Sequence, residues 1–222
     1  LAQKIVRSPY VKLACDTEEL LPYIDNTVKI ATNILEGGGA IQVEGAQGFG
    51  LSLDYGMYPF VTSRNITPGD IMSRAGIPLR FLGDIWGCLR PYPIRVGNVV
   101  EDGKIKGFSG PHFDDQQEVD WEYIREMSGA GKNLEERTTV TGRIRRVFTY
   151  SPKQTSEFIS VCGPTKLFLN FANHIDAEIY GKKELTQKVN KFLNYIEPKM
   201  PAENFINLVG TGPHHSDMVE AP

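Results

Sequence analysis

The sequence predicts an α/β fold, a central and mostly parallel sheet with helices on both faces. Three observations predict it. Short β-branched or apolar runs alternate with stretches of helical spacing. Glycine-bearing turns follow most of those runs. The amphipathic stretches fit helices that cover a buried sheet. A chain of 222 residues with 41% hydrophobic content is within reach of a single domain over residues 1–222 with a real core.

Residues 17–35 (TEELLPYIDNTVKIATNIL) place apolar side chains at helical spacing, and Gly37, Gly38 and Gly39 end that helix. AIQVEG then reads as a short buried strand running into the loop GAQGFG. Residues 66–90 read as a second helix, followed by the strand-like PYPIRVGNVV. The polar, glycine-rich stretch 101–118 reads as a surface excursion. WEYIREMSG is a short helix that Asp120 can cap. RTTVTGRIRRVFTY reads as a loop and strand carrying four arginines, and KLFLNFAN as a buried strand. ELTQKVNKFLNYIEP is an amphipathic helix closed by Pro198, and NFINLVGTGP is a last strand into a glycine turn.

Composition narrows the function. A formal charge of −3 supplies no field for nucleic acid or an anionic membrane, so neither is an expected partner. No apolar run approaches the ~18 residues of a membrane span, and the opening LAQKIVRSPY has no long apolar stretch. Cys15, Cys88 and Cys162 are too widely spaced for a disulfide framework or a paired metal site, which fits reduced thiols in a cytoplasmic protein. His112, His174, His214 and His215 have no ligand-like spacing outside the HHSD tail, which reads as a solvated end.

Four loops could carry chemistry, and each also has a plainer reading. In Glu44-Gly45-Ala46-Gln47-Gly48 the glycines allow close backbone approach and Gln47 can read a purine carbonyl or ring nitrogen; it could equally be a tight turn. Tyr58–Asn65, with Val61 and Thr62, clusters hydroxyls and backbone amides beside Arg64, as a phosphate cradle or a polar strand end. In Arg137–Arg146, an extended segment aims Arg143 and Arg145 to one side, where two guanidiniums can grip a carboxylate or phosphates. Thr139, Val140, Thr141 and Gly142 suit a loop that closes over an anion, although a solvated edge strand would look the same. Gly210-Thr211-Gly212 can hold a nucleobase against backbone or simply turn the chain.

Taken together the motifs resemble the adenylosuccinate synthetase family. EGAQG at 44–48, YPFVTSRN at 58–65, IRVG at 94–97, TTVTGRIRR at 138–146, LNFANHID at 169–176 and GTGP at 210–213 occur in the family's order. The short form is most similar to its compact archaeal and phage branches. The resemblance implies a ligase that moves a γ-phosphoryl group onto a purine 6-oxygen and then displaces it with the amine of L-aspartate. It implies that Gln47, Val61, Thr62 and Arg143 contact the purine monophosphate. Thr139, Val140, Thr141 and Arg145 would bind aspartate. Arg145, Asn173, Gly210, Thr211 and Gly212 would bind the triphosphate and its base. It further implies Mg2+ as cofactor and a homodimer.

Two departures shape the expectation. Residues 1–40 contain no counterpart of the family's glycine-rich phosphate loop, so the catalytic residues and the metal contacts are expected outside this chain, as for a fragment. The family's guanine-reading Lys-x-Asp is replaced by Phe171 and Asn173. An amide has one acceptor and one donor edge, which matches adenine, whereas guanine presents two donors that a carboxylate accepts together. ATP or dATP is therefore the expected phosphate donor. With Gly76-Ile77-Pro78-Leu79 in place of a glycine–proline pair, the chain resembles the phage enzymes that act on dGMP in diaminopurine synthesis. The alternatives are IMP with GTP, as in AMP synthesis, and a non-catalytic nucleotide-binding module.

Overall fold

A computed structural model describes residues 21–22, 24–201 and 206–221. Cys15 and the start of the helix expected at 17–35 lie outside these residues. The described chain groups into two units, one of residues up to Glu44 with Ile71–Phe81, the other of Gly45–Asp70 with Leu82 onward.

In the first unit α1 spans Thr27–Glu36, where the Asn26 side chain accepts from Lys29 N at 3.0 Å and caps it. The Gly37 N–H bonds back to Asn33 and Leu35 carbonyls, and Gly38 at φ +81 turns the chain away. Helix α2, Pro68–Ala75, stops at Gly76 (φ +68), and only a 3-10 turn at Leu79–Phe81 follows. The long helix expected over 66–90 is therefore corrected: Pro78 and the left-handed Gly76 break it, and its last residues form a strand. AIQVEG is also corrected. Residues 40–44 form no strand and Val43 is exposed, because no described strand offers a ladder for them to join.

The second unit contains the main sheet, in the order β1-β7-β8-β9. Strands β1 (Trp86–Leu89), β7 (Lys166–Leu169) and β8 (Ile206–Gly210) are mutually parallel, and β9 (Met218–Glu220) returns antiparallel. Alternation puts Gly87 and Leu89 of β1 and Leu167 and Leu169 of β7 on the buried face. Ile159 of α4 (Pro152–Cys162) and Val189, Leu193 and Ile196 of α5 (Gln187–Ile196) close on that face to form the main core. Gly87 has to lack a side chain, since a Cβ would sit 2.7 Å from the Phe158 ring. Helix α4 is not among the elements expected from sequence, although Ser151 caps it, Pro152 opens it and left-handed Gly163 closes it.

A second, antiparallel sheet runs β2-β6-β5 (Ile94–Arg95, Arg146–Phe148, Glu118–Val119). Helix α3, Trp121–Ser128, begins at Asp120, whose carboxylate accepts from Tyr123 N at 2.8 Å. Trp121 and Ile124 bury against Val147 of β6. The excursion over 101–118 begins with a hairpin, β3 (Val99–Glu101) and β4 (Lys104–Gly107). Its two-residue turn, Asp102-Gly103, has both residues at positive φ, as a twisted hairpin demands.

Candidate functional site

The carboxyl ends of the parallel strands lie side by side, the usual place for ligands in such sheets. β1 ends into Arg90, β7 into the turn at Phe171–His174, and β8 into Thr211-Gly212. KLFLNFAN is a strand only as far as Leu169. Phe171 then takes the left-handed region (φ 61, ψ 37) and a 3-10 turn holds Ala172–His174. Asn173 is half-buried in that turn, and its amide has no partner among the described residues. The turn lies against the end of β8, for a Cβ at Gly210 would come within 2.7 Å of Asn170 Oδ1. Sequence positions far apart, Asn170 just before the turn and Gly210, are thus brought together.

The terminal turn is fixed from within. Thr211 is fully buried and its hydroxyl donates to the Lys182 carbonyl at 3.0 Å. That hydroxyl is engaged inside the fold, and Thr211 also accepts from Gly181 N at 3.2 Å through its carbonyl. Its N–H donates to Asp217 O at 2.8 Å, and the Asp217 carboxylate accepts from His214 N at 3.1 Å. The HHSD tail therefore organises this turn.

The arginine-rich loop is a small hairpin. Arg145 N donates to Glu136 O at 2.8 Å, and Thr138 N to Arg143 O at 2.9 Å. The Thr138 and Thr141 hydroxyls bond to each other at 2.6 Å, and Gly142 turns the tip at φ +64. Thr139, Val140, Thr141 and Arg143 project into solvent, with Val140 95% exposed. The Arg143 guanidinium has no partner among the described residues, whereas Arg145 Nε lies 4.0 Å from the Glu136 carboxylate. Arg137 pairs with Glu135 at 2.6 Å. Arg146 is spent on structure, with a two-point bond to Glu118 (2.7 and 2.6 Å) and contacts to Ser109 and Gly110.

The loop carrying Gln47, Val61 and Thr62 is folded on itself. Gln47 is exposed at φ 71, a conformation in which an L residue is uncommon. Thr62 N donates to Leu51 O at 2.8 Å, and buried Ser52 Oγ accepts from Ile66 N at 3.0 Å. No described hydrogen bond or ion pair joins these residues to Arg143. The link is indirect. Arg95 donates to Phe60 O and to Ser109 O, both at 3.0 Å, and Arg95 pairs with Arg146 across β2 and β6. Burial, with Arg146 alongside, lowers the Arg95 pKa. Gly97 of IRVG lies under the arginine loop, where a Cβ would meet Ile144 O and come within 3.2 Å of Arg143 Cβ.

Three groups that the sequence reading did not select meet between these loops. Arg90 places both terminal nitrogens on the Glu136 carboxylate, and its guanidinium lies 3.8 Å from the Phe171 ring centroid. His174 is buried between Trp121 and Phe171, with ring centroids at 5.9 and 5.2 Å. Burial, helped by the Arg90 charge and opposed by Glu136, pushes the His174 pKa down to about 4. Sequence alone hides Arg90 because β1 falls within the helix expected at 66–90; its one signal is an arginine set directly before Pro91 at a strand end.

No group of three or more His, Cys, Asp or Glu side chains among the described residues could hold a metal ion. The Glu136 and Asp217 carboxylates are engaged by Arg90 and by His214 N. No described helix is long and apolar enough to cross a membrane.

A family model described as adenylosuccinate synthetase matches residues 6–177. The N6-succino-2-amino-2'-deoxyadenylate synthase of Acinetobacter phage SH-Ab 15497 is 43% identical over 156 residues, which is 70% of this chain and 38% of that protein. The adenylosuccinate synthetase of Pyrococcus sp. (strain ST700) is 30% identical over 222 residues, 99% of this chain and 59% of that protein. Among solved structures, cyanophage S-2L succinoaminodeoxyadenylate synthetase, bound to dGMP and to dATP as an energy donor, aligns with a TM-score of 0.74 at 30% identity. That alignment covers 100% of this chain and 59% of the cyanophage protein. Adenylosuccinate synthetase from Plasmodium falciparum shares the fold, with a TM-score of 0.69 at 21% identity over 91% of this chain and 55% of its own. The chain spans between 38% and 59% of the length of these relatives.

Proposed function

Because the chain belongs to the adenylosuccinate synthetase family, we propose that it is part of a carbon–nitrogen ligase domain that joins L-aspartate to the 6-position of dGMP, with ATP or dATP as phosphate donor. The observation that carries this reading is Asn173, an unpartnered amide in the turn that follows β7. One donor and one acceptor suit an adenine edge and mismatch guanine, whose two adjacent donors need a carboxylate. The phage relative at 43% identity and the cyanophage neighbour bound to dGMP and dATP support the same substrates.

On this reading Gln47, Val61 and Thr62 hold the purine monophosphate and Arg143 approaches its ribose or phosphate. Thr139, Val140 and Thr141 close over aspartate. Arg145, kept beside Glu136, bridges aspartate and the triphosphate. Gly210, Thr211 and Gly212 border the triphosphate's base, with buried Thr211 holding the turn from within. The γ-phosphoryl group passes to the purine 6-oxygen and leaves the nucleoside diphosphate. The aspartate amine then attacks carbon 6, loses a proton and expels phosphate. These residues bind and orient, and the positive side chains offset developing charge, which is most of what phosphoryl transfer asks of a protein. Mg2+ bound to the triphosphate would offset negative charge on the transferring phosphoryl group. The homodimer and a cytoplasmic location, in the host cell for a phage protein, belong to the same proposal.

The test is aspartate-dependent phosphate release by the full native polypeptide carrying this chain, with dGMP or IMP paired with ATP or GTP. Turnover with dGMP and ATP, and little with IMP and GTP, is the expected result. Activity confined to IMP and GTP refutes the substrate assignment. Nucleotide binding without turnover in all four mixtures refutes the ligase.

A further inference from the structure

Arg90 occupies a position that stability alone does not explain. Its Nε is buried without a partner, although a buried donor left unpaired is costly. The residue that it covers, Phe171, holds a left-handed backbone that a bulky side chain avoids. Backbone kept in such a state by its surroundings is commonly tied to function. The guanidinium that covers Phe171 also grips Glu136 with both terminal nitrogens, in the fork geometry that fixes direction as well as distance. Glu136 opens the threonine–arginine hairpin, where its carbonyl accepts from Arg145 N and its carboxylate lies 4.0 Å from Arg145 Nε. Phe171 opens the turn that presents Asn173. One side chain, rooted at the end of β1, therefore touches the base of both loops.

We propose that Arg90 is a positioning residue that couples the base-reading turn to the aspartate loop, so that triphosphate binding strengthens aspartate binding. The proposal rests on the functional reading above. Ordering the turn around a bound base fixes the Phe171 ring. The fixed ring fixes the guanidinium plane, and that plane holds Glu136 and Arg145 in register. By linkage the effect is reciprocal, so bound aspartate tightens the triphosphate to the same extent.

The experiment measures the KM for aspartate at low and at saturating ATP in the full native polypeptide, then in Arg90→Met, Arg90→Lys and Glu136→Gln. In the unaltered enzyme saturating ATP is expected to lower the aspartate KM about fivefold or more, the lower end of ordinary coupling. Arg90→Met should reduce that ratio to about twofold or less. Arg90→Lys keeps the charge but loses the planar fork, so it should restore the ratio only in part. Glu136→Gln leaves the ring contact intact and should also lose the coupling, while its KM for ATP at low aspartate stays near the unaltered value. Because that change is close to isosteric, it carries the test if Arg90→Met does not fold. An active enzyme whose ATP-dependent ratio is the same in all three variants overturns the proposal, as does an active enzyme with no such ratio to begin with. An unaltered enzyme without aspartate-dependent phosphate release overturns the functional reading instead.

Discussion

Replacing Asn173 by aspartate is the most direct way to turn the base-reading turn against its expected donor. The turn at Ala172–His174 is held by its backbone, with His174 N donating to Phe171 O at 2.9 Å, and the Asn173 amide supports nothing else among the described residues. Asn173→Asp should therefore leave folding nearly unchanged, within the ~0.5 kcal/mol usual for such positions. Recognition should change much more. Adenine offers its 6-amino donor and a ring-nitrogen acceptor, and an amide satisfies both. A carboxylate satisfies only the donor and faces the ring nitrogen with a lone pair, which costs about 1–3 kcal/mol, or roughly fivefold to 150-fold. Guanine gains what adenine loses, because its two donors both reach the carboxylate, although Phe171 supplies no lysine to accompany it. The ratio of kcat/KM for ATP over GTP should therefore fall by about a hundredfold. Phosphate release at saturating aspartate and purine monophosphate measures it. A ratio that moves less than threefold, or an unaltered enzyme that already prefers GTP, refutes the reasoning.

Val140 is 95% exposed, so Val140→Ala should leave the thermal midpoint unchanged while raising the KM for aspartate several-fold; a lower midpoint with an unaltered KM would give Val140 a structural role only. The folded His174 pKa, about 4, lies below the ordinary histidine value of 6.5, so between those limits the unfolded chain binds the proton more readily. Stability is then full above about pH 6.5 and falls towards pH 4 by on the order of 3 kcal/mol. Thermal midpoints at pH 7 and pH 5 should fall less in His174→Phe than in the unaltered protein, and equal falls would sink the assignment.

The loops were legible because their chemistry is local. EGAQG, the threonine–arginine run and the terminal glycine turn carry their signals within a few residues, and the substitution at Asn173 can be read from one amide. Strands were harder, since a strand depends on its neighbour. AIQVEG has a strand's composition yet stays irregular, exposed and without a described partner strand. Trp86–Leu89 contains a glycine and follows Gly83, which weakens any strand signal, yet it pairs fully with β7 because Lys166–Leu169 offers it a ladder.

Arg90 shows why the remainder was hidden. Nothing near it in sequence announces Glu136 or Phe171, and each of those two looks ordinary alone: a carboxylate beside a loop, an aromatic residue after a strand. The assignment of Phe171 as a lost guanine-reading lysine was legible, but it described only an absence. The structure gives that ring a positive task. It occupies the left-handed position and stacks on a guanidinium whose other side is committed to Glu136. A lysine at 171 would instead bring a second cation against Arg90, a like-charge contact that the Glu136 carboxylate alone would have to offset. The exchange of Lys-x-Asp for Phe-x-Asn is then best understood as two linked changes. Asn173 alters which base is read, and Phe171 lets Arg90 lie flat across the turn that reads it. Restoring guanine recognition should accordingly require aspartate at 173 first, with a lysine at 171 adding little while Arg90 remains.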